Sequence, residues 1–595
     1  MPLPSAWLSS LLVAALVWRL LSRRTVPSIL SRVRGPEKEH WLTGNLHRLF
    51  RDAYDYTFHL IDSYGGVLKI YGVLGSQQLF VSDPRALHHV VVKDQDIYHE
   101  SEMFLKTNQL LFGEGLISTD GEQHRKQRKM LNPVFSLANM RELLPTIQPI
   151  ADELLRGIMT EVPPDGGAKE VDLHPWMGRG TIEYVGQAVL GISFGALDPQ
   201  NSNEYVDAIR NVAHVGLKII FLRPMVPWVV RKLSPFWRNK LVDWLPLPPL
   251  RQIREMCYTM ERHSKKILEE KREAMEQGRA SERRDLMTIM LEANVSTSEE
   301  ERLTDVELTG QINTMLLGGQ ETSTSALSRI LWILSRDQPA QARLRSEIRA
   351  AKLAHAAASG HDGPWESVHL PYDTLMALPY LDAVLRETLR VHPPTNMINR
   401  TCTRDAILPV EFPLTDASGE EVKAVHVPAG TNIVISILGA NHNKQVWGDD
   451  ADVWRPERWL TASGERIGLT EGRSVDMMLG QAADEGDKSA VDGTPGYKAG
   501  VKYPGVYATM MTFLGGGRAC IGFKFAEMEI KQVITTFLSR LHFSLPSAVD
   551  KNGVRKEIYW RIDGLQIPVV REPHGDFKTP QVPLDVRVVR DSDYL

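Results

Sequence analysis

Cysteine is scarce: Cys257, Cys402 and Cys520 are the only three in a chain of 595 residues. So few and so widely spaced, they exclude a disulfide framework and offer no paired zinc-ligand spacing; a reducing compartment fits the count. Neither sign of charge is in excess, with 69 Lys+Arg against 73 Asp+Glu and a formal net charge of -4. Without a global field for gripping phosphate backbones, nucleic acid is not an expected partner. No fixed-period repeat is visible, which excludes a solenoid or propeller array. Asn294-Val295-Ser296 and Asn399-Arg400-Thr401 match the glycosylation acceptor pattern, and in a reducing compartment both read as unused.

What is present is a composition that folds: 43% hydrophobic and 24% charged residues are ordinary for a globular enzyme with a large core. One long apolar run, residues 7–21, is followed closely by Arg23, Arg24, Arg32 and Arg34. It falls short of the roughly 20 residues of a standard span, but Arg19 can snorkel and Trp7 and Trp18 can seat at the interface. Positive charges after the run, and no clear small-residue cleavage site, favour an anchor over a cleaved signal peptide. Residues 1–24 are therefore expected to be an N-terminal transmembrane anchor with its positive flank in the cytosol. Residues 25–45 read as a basic linker and hinge, turning at Gly35-Pro36 and Gly44-Asn45, and 46–595 as one large catalytic domain.

Along that domain the apolar periodicity is mainly helical, with short strand-like runs, so the expected fold class is mainly α with small β-sheets. Helices are expected at 148–160, 251–278, 304–334 and 374–391, and paired strands at 67–71 and 78–82. Surface loops are expected at 161–169, 355–370 and 460–500, the last reading as an insertion. The stretch 217–250 mixes Phe221, Trp228, Trp237 and Trp244 with Arg223, Arg231, Lys232, Arg238 and Lys240. A packed helix pair with solvated charges is slightly favoured there over a surface that dips into a bilayer.

The chemistry concentrates in Phe513-Leu514-Gly515-Gly516-Gly517-Arg518-Ala519-Cys520-Ile521-Gly522. Three consecutive glycines let backbone approach a flat ligand, and Arg518 can neutralise a carboxylate. Cys520 lies where a helix should begin, so N–H groups there can stabilise a thiolate. A lone cysteine is ordinarily a buried structural residue, which is the reading for Cys257 and Cys402. Glu387-Thr388-Leu389-Arg390 places an acid and a base one turn apart, a spacing also common in surface ion pairs. Gly318-Gly319-Gln320-Glu321-Thr322 puts paired glycines inside the apolar helix 304–334, which is costly unless something approaches the backbone.

Together these runs resemble the cytochrome P450 family. Residues 513–522 are similar to its haem-ligand signature, Phe-x-x-Gly-x-Arg-x-Cys-x-Gly, at every defined position. The Gly-Gly-x-Glu-Thr run, the Glu387-x-x-Arg390 pair and Pro456-Glu457-Arg458-Trp459 precede it in family order, and Pro504-Gly505-Val506-Tyr507 resembles fungal microsomal members. The resemblance implies haem b with Cys520 as its axial metal ligand and Phe513 packed near the sulfur. It also implies His124, Arg128, Arg400 and Arg518 as haem-propionate partners, with His124 standing where the family usually has tryptophan. Glu321 and Thr322 would be the catalytic proton relay, and Glu387, Arg390 and Arg458 a structural network bracing the haem-binding region.

The activity implied is that of a haem-thiolate monooxygenase. It inserts one oxygen atom from O2 into an apolar substrate, by hydroxylation or epoxidation, in a setting such as fungal terpenoid biosynthesis. No flavin- or nicotinamide-binding half is recognisable, so electrons are expected from NADPH through a separate flavoprotein reductase, with cytochrome b5 as an additional donor. The reductase would dock on a basic face of Arg125, Lys126, Lys129 and Lys524. The implied location is the endoplasmic reticulum membrane, single-pass, with the catalytic domain facing the cytosol. Pocket walls are expected around 102–118, 217–250, 311–322, 394–399 and 562–567. The alternatives are a haem-thiolate isomerase, dehydratase or peroxygenase, against which the Glu321-Thr322 pair argues, and a non-catalytic membrane haem sensor.

Overall fold

A computed structural model describes residues 29–163, 166–278, 285–467, 497–498, 500–507 and 509–594. The expected anchor at 1–24 and most of the 460–500 insertion lie outside the described residues. Among the described residues helices dominate, accompanied by four small sheets.

The helix Asp305–Arg336 organises the interior, and most of its length is buried. Its start is set by a reciprocal cap: Thr304 Oγ1 accepts from the Glu307 amide at 3.3 Å, and Glu307 Oε2 accepts from the Thr304 amide at 2.9 Å. The other Glu307 oxygen accepts from Gln123 at 3.2 Å and Gln127 at 3.1 Å. Both glutamines belong to the helix Gly121–Leu131, which carries His124 and Arg128.

Several boundaries differ from the sequence expectation, each for a physical reason. The helix expected at 148–160 begins at Leu137, capped by Ser136, and carries Pro145 and Pro149 inside it. Packing of Met140, Leu143, Leu144, Ile147, Ala151 and Leu154 on one buried stripe outweighs the two prolines. The expected loop 355–370 starts later, because Ala356-Ala357-Ala358 extend the helix Gln338–Ser359. The region 374–391 divides into Tyr372–Ala377 and Pro379–Val391, since Pro379 suits a first helical turn and Leu378 is non-helical.

Strand Val67–Tyr71 pairs antiparallel with Gln77–Val81, Val67 opposite Val81. Asn432–Ser436 then adds in parallel, followed by Met397–Cys402 and Tyr98–His99, both antiparallel. The last pairing sets Arg400 beside Glu100. A hairpin of Ile558–Asp563 and Leu565–Val570 supplies part of the cavity wall.

The segment 217–250 is not the packed pair favoured from sequence. It forms short helical pieces, Ile220–Met225, Val226–Lys232 and Pro235–Trp244, in which no residue is fully buried. These pieces lie over a cavity rather than the core, so Phe221, Trp228, Phe236, Trp237 and Trp244 remain half or more exposed, from 50% to 65%. No single helix among the described residues is long and apolar enough to cross a membrane.

The helix Phe523–Leu538 is almost wholly buried, charged residues included. Lys531 donates to Asp382 at 2.7 Å. Glu529, fully buried, has no hydrogen-bond partner in normal geometry for either carboxyl oxygen among the described residues. Burial pushes its carboxyl up to about 8, the Ser323 hydroxyl counteracting in part. Because the folded value exceeds the unfolded one, the native state keeps a proton that the unfolded chain releases. Stability from this group is therefore lost as pH rises from the ordinary carboxyl range towards 8. Denaturant titrations of the holoprotein between pH 5.5 and 8.5 should show the Glu529→Gln variant losing less stability with rising pH, by up to about 1.4 kcal/mol per pH unit. Parallel pH profiles would show that the carboxyl is ionised in the fold.

Candidate active site

The loop before Cys520 is held by backbone contacts that leave no room for side chains. A Cβ at Gly515 would collide with the Pro504 carbonyl, and one at Gly516, whose φ is 67°, with the Val91 carbonyl. The Cys520 amide donates to the Phe513 carbonyl at 2.8 Å. The Phe513 ring sits 6.0 Å from Phe523 and 5.9 Å from Tyr507, centre to centre. Cys520 precedes the helix Phe523–Leu538, and its side chain is exposed into a cavity of about 1890 Å³. Burial pushes its thiol up, while the Gly522 amide and the Arg128 guanidinium favour the thiolate.

A cationic set lies around this cysteine. Arg128 donates to the Ala519 carbonyl at 2.5 Å and to Asn132 Oδ1 at 2.9 Å, whereas its Nη2 is buried without a partner among the described residues. Burial pulls this guanidinium down to about 10, with Cys520 acting in the opposite sense. His124 also lines the cavity, and burial, reinforced by Arg518 and Arg128, pushes its imidazole down to about 3, leaving it neutral. Arg518 lines the cavity and donates to Asp120 at 2.8 Å and to the Thr119 carbonyl at 2.6 Å. Arg400 stands behind the wall rather than in it, paired with Glu100 at 2.7 Å, and Glu100 itself faces the cavity.

The same cavity is bordered by Gly318, Glu321 and Thr322. A Cβ at Gly318 would meet nothing within 4 Å, whereas one at Gly319 would strike Val185, so one glycine opens space and the other permits close packing. Thr322 Oγ1 donates to the Gly318 carbonyl at 2.7 Å. Burial pushes the Glu321 carboxyl up, and Arg210 counters it.

Glu387, Arg390 and Arg458 meet away from the cavity, all three side chains fully buried. Arg390 grips Glu387 through two contacts of 2.9 and 2.8 Å, Arg458 lies 3.3 Å from the same carboxylate, and the Trp459 indole donates to it at 3.0 Å.

Sequence reasoning passed over Glu100, Asp120, His99 and Asn441. Asp120 stands at a helix N-cap, yet its carboxylate serves Arg518 and His99, the latter at 2.7 Å. It also missed the wall contributed by His174, Arg179 and Arg210, whose helices show only amphipathic periodicity. The expected basic docking face loses Lys524, which is 5% exposed, and Lys129 is paired with Glu301 at 2.8 Å.

These residues fit an iron porphyrin. A thiol faces the cavity, a glycine cradle excludes side chains beside it, and cationic donors include one buried N–H group awaiting an acceptor. The Cytochrome P450 family model matches residues 34–568. The chain belongs to the cytochrome P450 family. It is 36% identical over 591 residues to cytochrome P450 monooxygenase 91 of Postia placenta, covering 98% of each chain. It is 32% identical over 588 residues to a ganoderic acid synthetase of Ganoderma lucidum, covering 97% of each. A P450 is a haem-iron oxidoreductase, and monooxygenase is the activity class of this chain.

Removing the Glu387 carboxylate would leave Arg390 buried without a carboxylate partner and Arg458 with Asp450 alone, a loss of about 3–5 kcal/mol. Glu387→Ala should therefore yield little folded, haem-loaded protein, measured as the ratio of Soret to 280 nm absorbance after purification. A full haem complement with an unchanged unfolding midpoint would contradict a bracing role.

Proposed function

We propose that this chain is a membrane-anchored haem-thiolate monooxygenase that inserts one atom of O2 into an apolar substrate, by hydroxylation or epoxidation, in fungal secondary metabolism such as terpenoid biosynthesis. The observation that carries the reading is the meeting of Cys520, Glu321 and Thr322 on one cavity beside a cationic set. Cys520 would hold the iron of haem b, and Arg128, His124 and Arg518 would face its propionates, while Arg400, expected there from the family pattern, stands behind the wall on Glu100. Arg128 is the strongest of these, because its Nη2 has an unmet bond. When bound, the haem supplies dioxygen activation, with thiolate ligation favouring O–O cleavage as is general in this family.

The chain's own residues manage protons and water. Burial helps Glu321 keep its carboxyl proton. The neighbouring Thr322 hydroxyl, engaged with Gly318, can pass a proton on once it turns from that carbonyl. The apolar lining, with Leu317, Ile398, Ile562 and Leu565 among it, excludes bulk water around the reacting C–H bond or alkene.

The reduced, carbon monoxide-bound holoprotein should show the red-shifted Soret band of thiolate ligation, and Cys520→Ala should lose it. An unshifted band in folded, haem-loaded protein would remove the central assignment. With a reductase present, Thr322→Ala should divert electrons into peroxide, so that product formed per NADPH falls several-fold; unchanged coupling would exclude the relay.

Residues 1–24 are proposed as a single-pass anchor in the endoplasmic reticulum membrane, with the domain on the cytosolic side. The exposed aromatics of 220–244, interleaved with Arg231, Lys232 and Lys240, support a second contact with the bilayer. Protein lacking residues 1–24 should still co-sediment with vesicles and lose that binding when Phe221, Trp228 and Trp237 are changed to Ser. A fully soluble truncated protein would leave the anchor as the sole attachment. Electrons are proposed to come from NADPH through a flavoprotein reductase, with cytochrome b5 as an additional donor, and exposed Arg125 remains the best docking residue on its helix.

A further inference from the structure

The cavity wall made by the helices Leu173–Tyr184 and Glu204–Leu217 holds a cation that the reading above leaves unused. Arg210 Nη2 donates to the Gly178 carbonyl at 2.8 Å, which fixes the guanidinium, and Arg210 makes no ion pair among the described residues. Burial pulls the group down, Glu321 counters this, and Arg179 reinforces it.

No carboxylate lies within ion-pair distance of Arg210 among the described residues, and Glu321 and Asp207 act on it only at longer range. Arg179 lines the same wall, stacked 5.2 Å over Trp176. His174 is pushed down to about 4 by burial and by Arg210, so it is neutral, with Nδ1 3.2 Å from Ser328 Oγ. Glu321 holds its proton more firmly than an ordinary carboxyl, and Asp207 points to solvent. A desolvated guanidinium without a carboxylate partner is costly, and its fork of donors matches a planar carboxylate.

We propose that Arg210 is a specificity-determining residue that selects apolar substrates carrying a carboxylate, binding that group against the wall of Gly178, Arg179 and His174. This rests on the reading of the cavity as the substrate site. Anchoring the acid at this end sets which carbons of the apolar body can reach the cysteine-bearing wall, so Arg210 governs both the choice of substrate and the position oxidised.

Equilibrium dialysis of the holoprotein against abietic acid, dodecanoic acid and the methyl ester of each tests this with two shapes of apolar body. At least one acid should bind about tenfold or more tightly than its ester at neutral pH. In Arg210→Gln that ratio should fall to within about twofold while ester affinity is kept, and Arg210→Lys should retain part of it. Equal affinity for both acids and their esters, no saturable uptake of either acid, or a preference that survives Arg210→Gln would overturn the assignment. The carbon monoxide spectrum of each variant reports thiolate ligation independently, so failure here is distinguishable from failure of the monooxygenase reading.

Discussion

The carboxylate of Glu387, enclosed by two guanidinium groups, is the contact on which the site's geometry depends. Its oxygens receive Arg390, Arg458, the Trp459 indole and the Arg455 amide, so a helix, a turn and an approaching strand of chain converge on one buried anion. Arg390 then reaches the Asn441 carbonyl at 2.8 Å, and the Asn441 side chain takes the Met511 amide at 2.8 Å and donates to Thr512 Oγ1 at 2.9 Å. Those residues immediately precede Phe513, so the restraint passes through hydrogen bonds directly into the cysteine loop. Each buried charge in this chain of contacts is neutralised by a partner, which is the condition for burying it at all.

Much of the site was legible because its chemistry is local in sequence. The glycines, Arg518 and Cys520 occupy one short run, and each is there for a backbone or charge reason that spacing alone exposes. The Glu387 pair was legible only as a candidate, since the same spacing occurs on solvated helices. Its burial comes from residues such as Asn441 and Asp450 that arrive from elsewhere in the chain. Glu100 and Asp120 left no pattern because they act as counter-charges to distant arginines: Glu100 meets Arg400 only when Tyr98–His99 pairs with Met397–Cys402, and Asp120 meets Arg518 only when the loop before Cys520 folds against it.

The fold shows the same division. Strand 67–71 was plain from its short run of β-branched, aliphatic and aromatic residues, while the helix Leu137–Met159 was underestimated because two prolines are local signals and the buried stripe that outweighs them is a tertiary one. The segment 217–250 failed in the opposite sense. Its aromatics suggested packing, but short pieces laid over a hollow have only one side to bury, and the surplus faces outward. Lys524 was misplaced because a lysine shortly after Cys520 was read by residue type, although nearly every position of its helix is enclosed.

The shared use of Glu307 has a mechanical consequence. One oxygen starts the helix Asp305–Arg336, and the other clasps two glutamines of the helix that carries His124 and Arg128. The floor bearing Glu321 and the beam bearing His124 and Arg128 are thereby bolted at a common joint. Shearing one helix past the other would break these bonds, which holds the cavity's width at that joint, whereas the outer aromatic pieces have no fully buried residue to fix them in the same way.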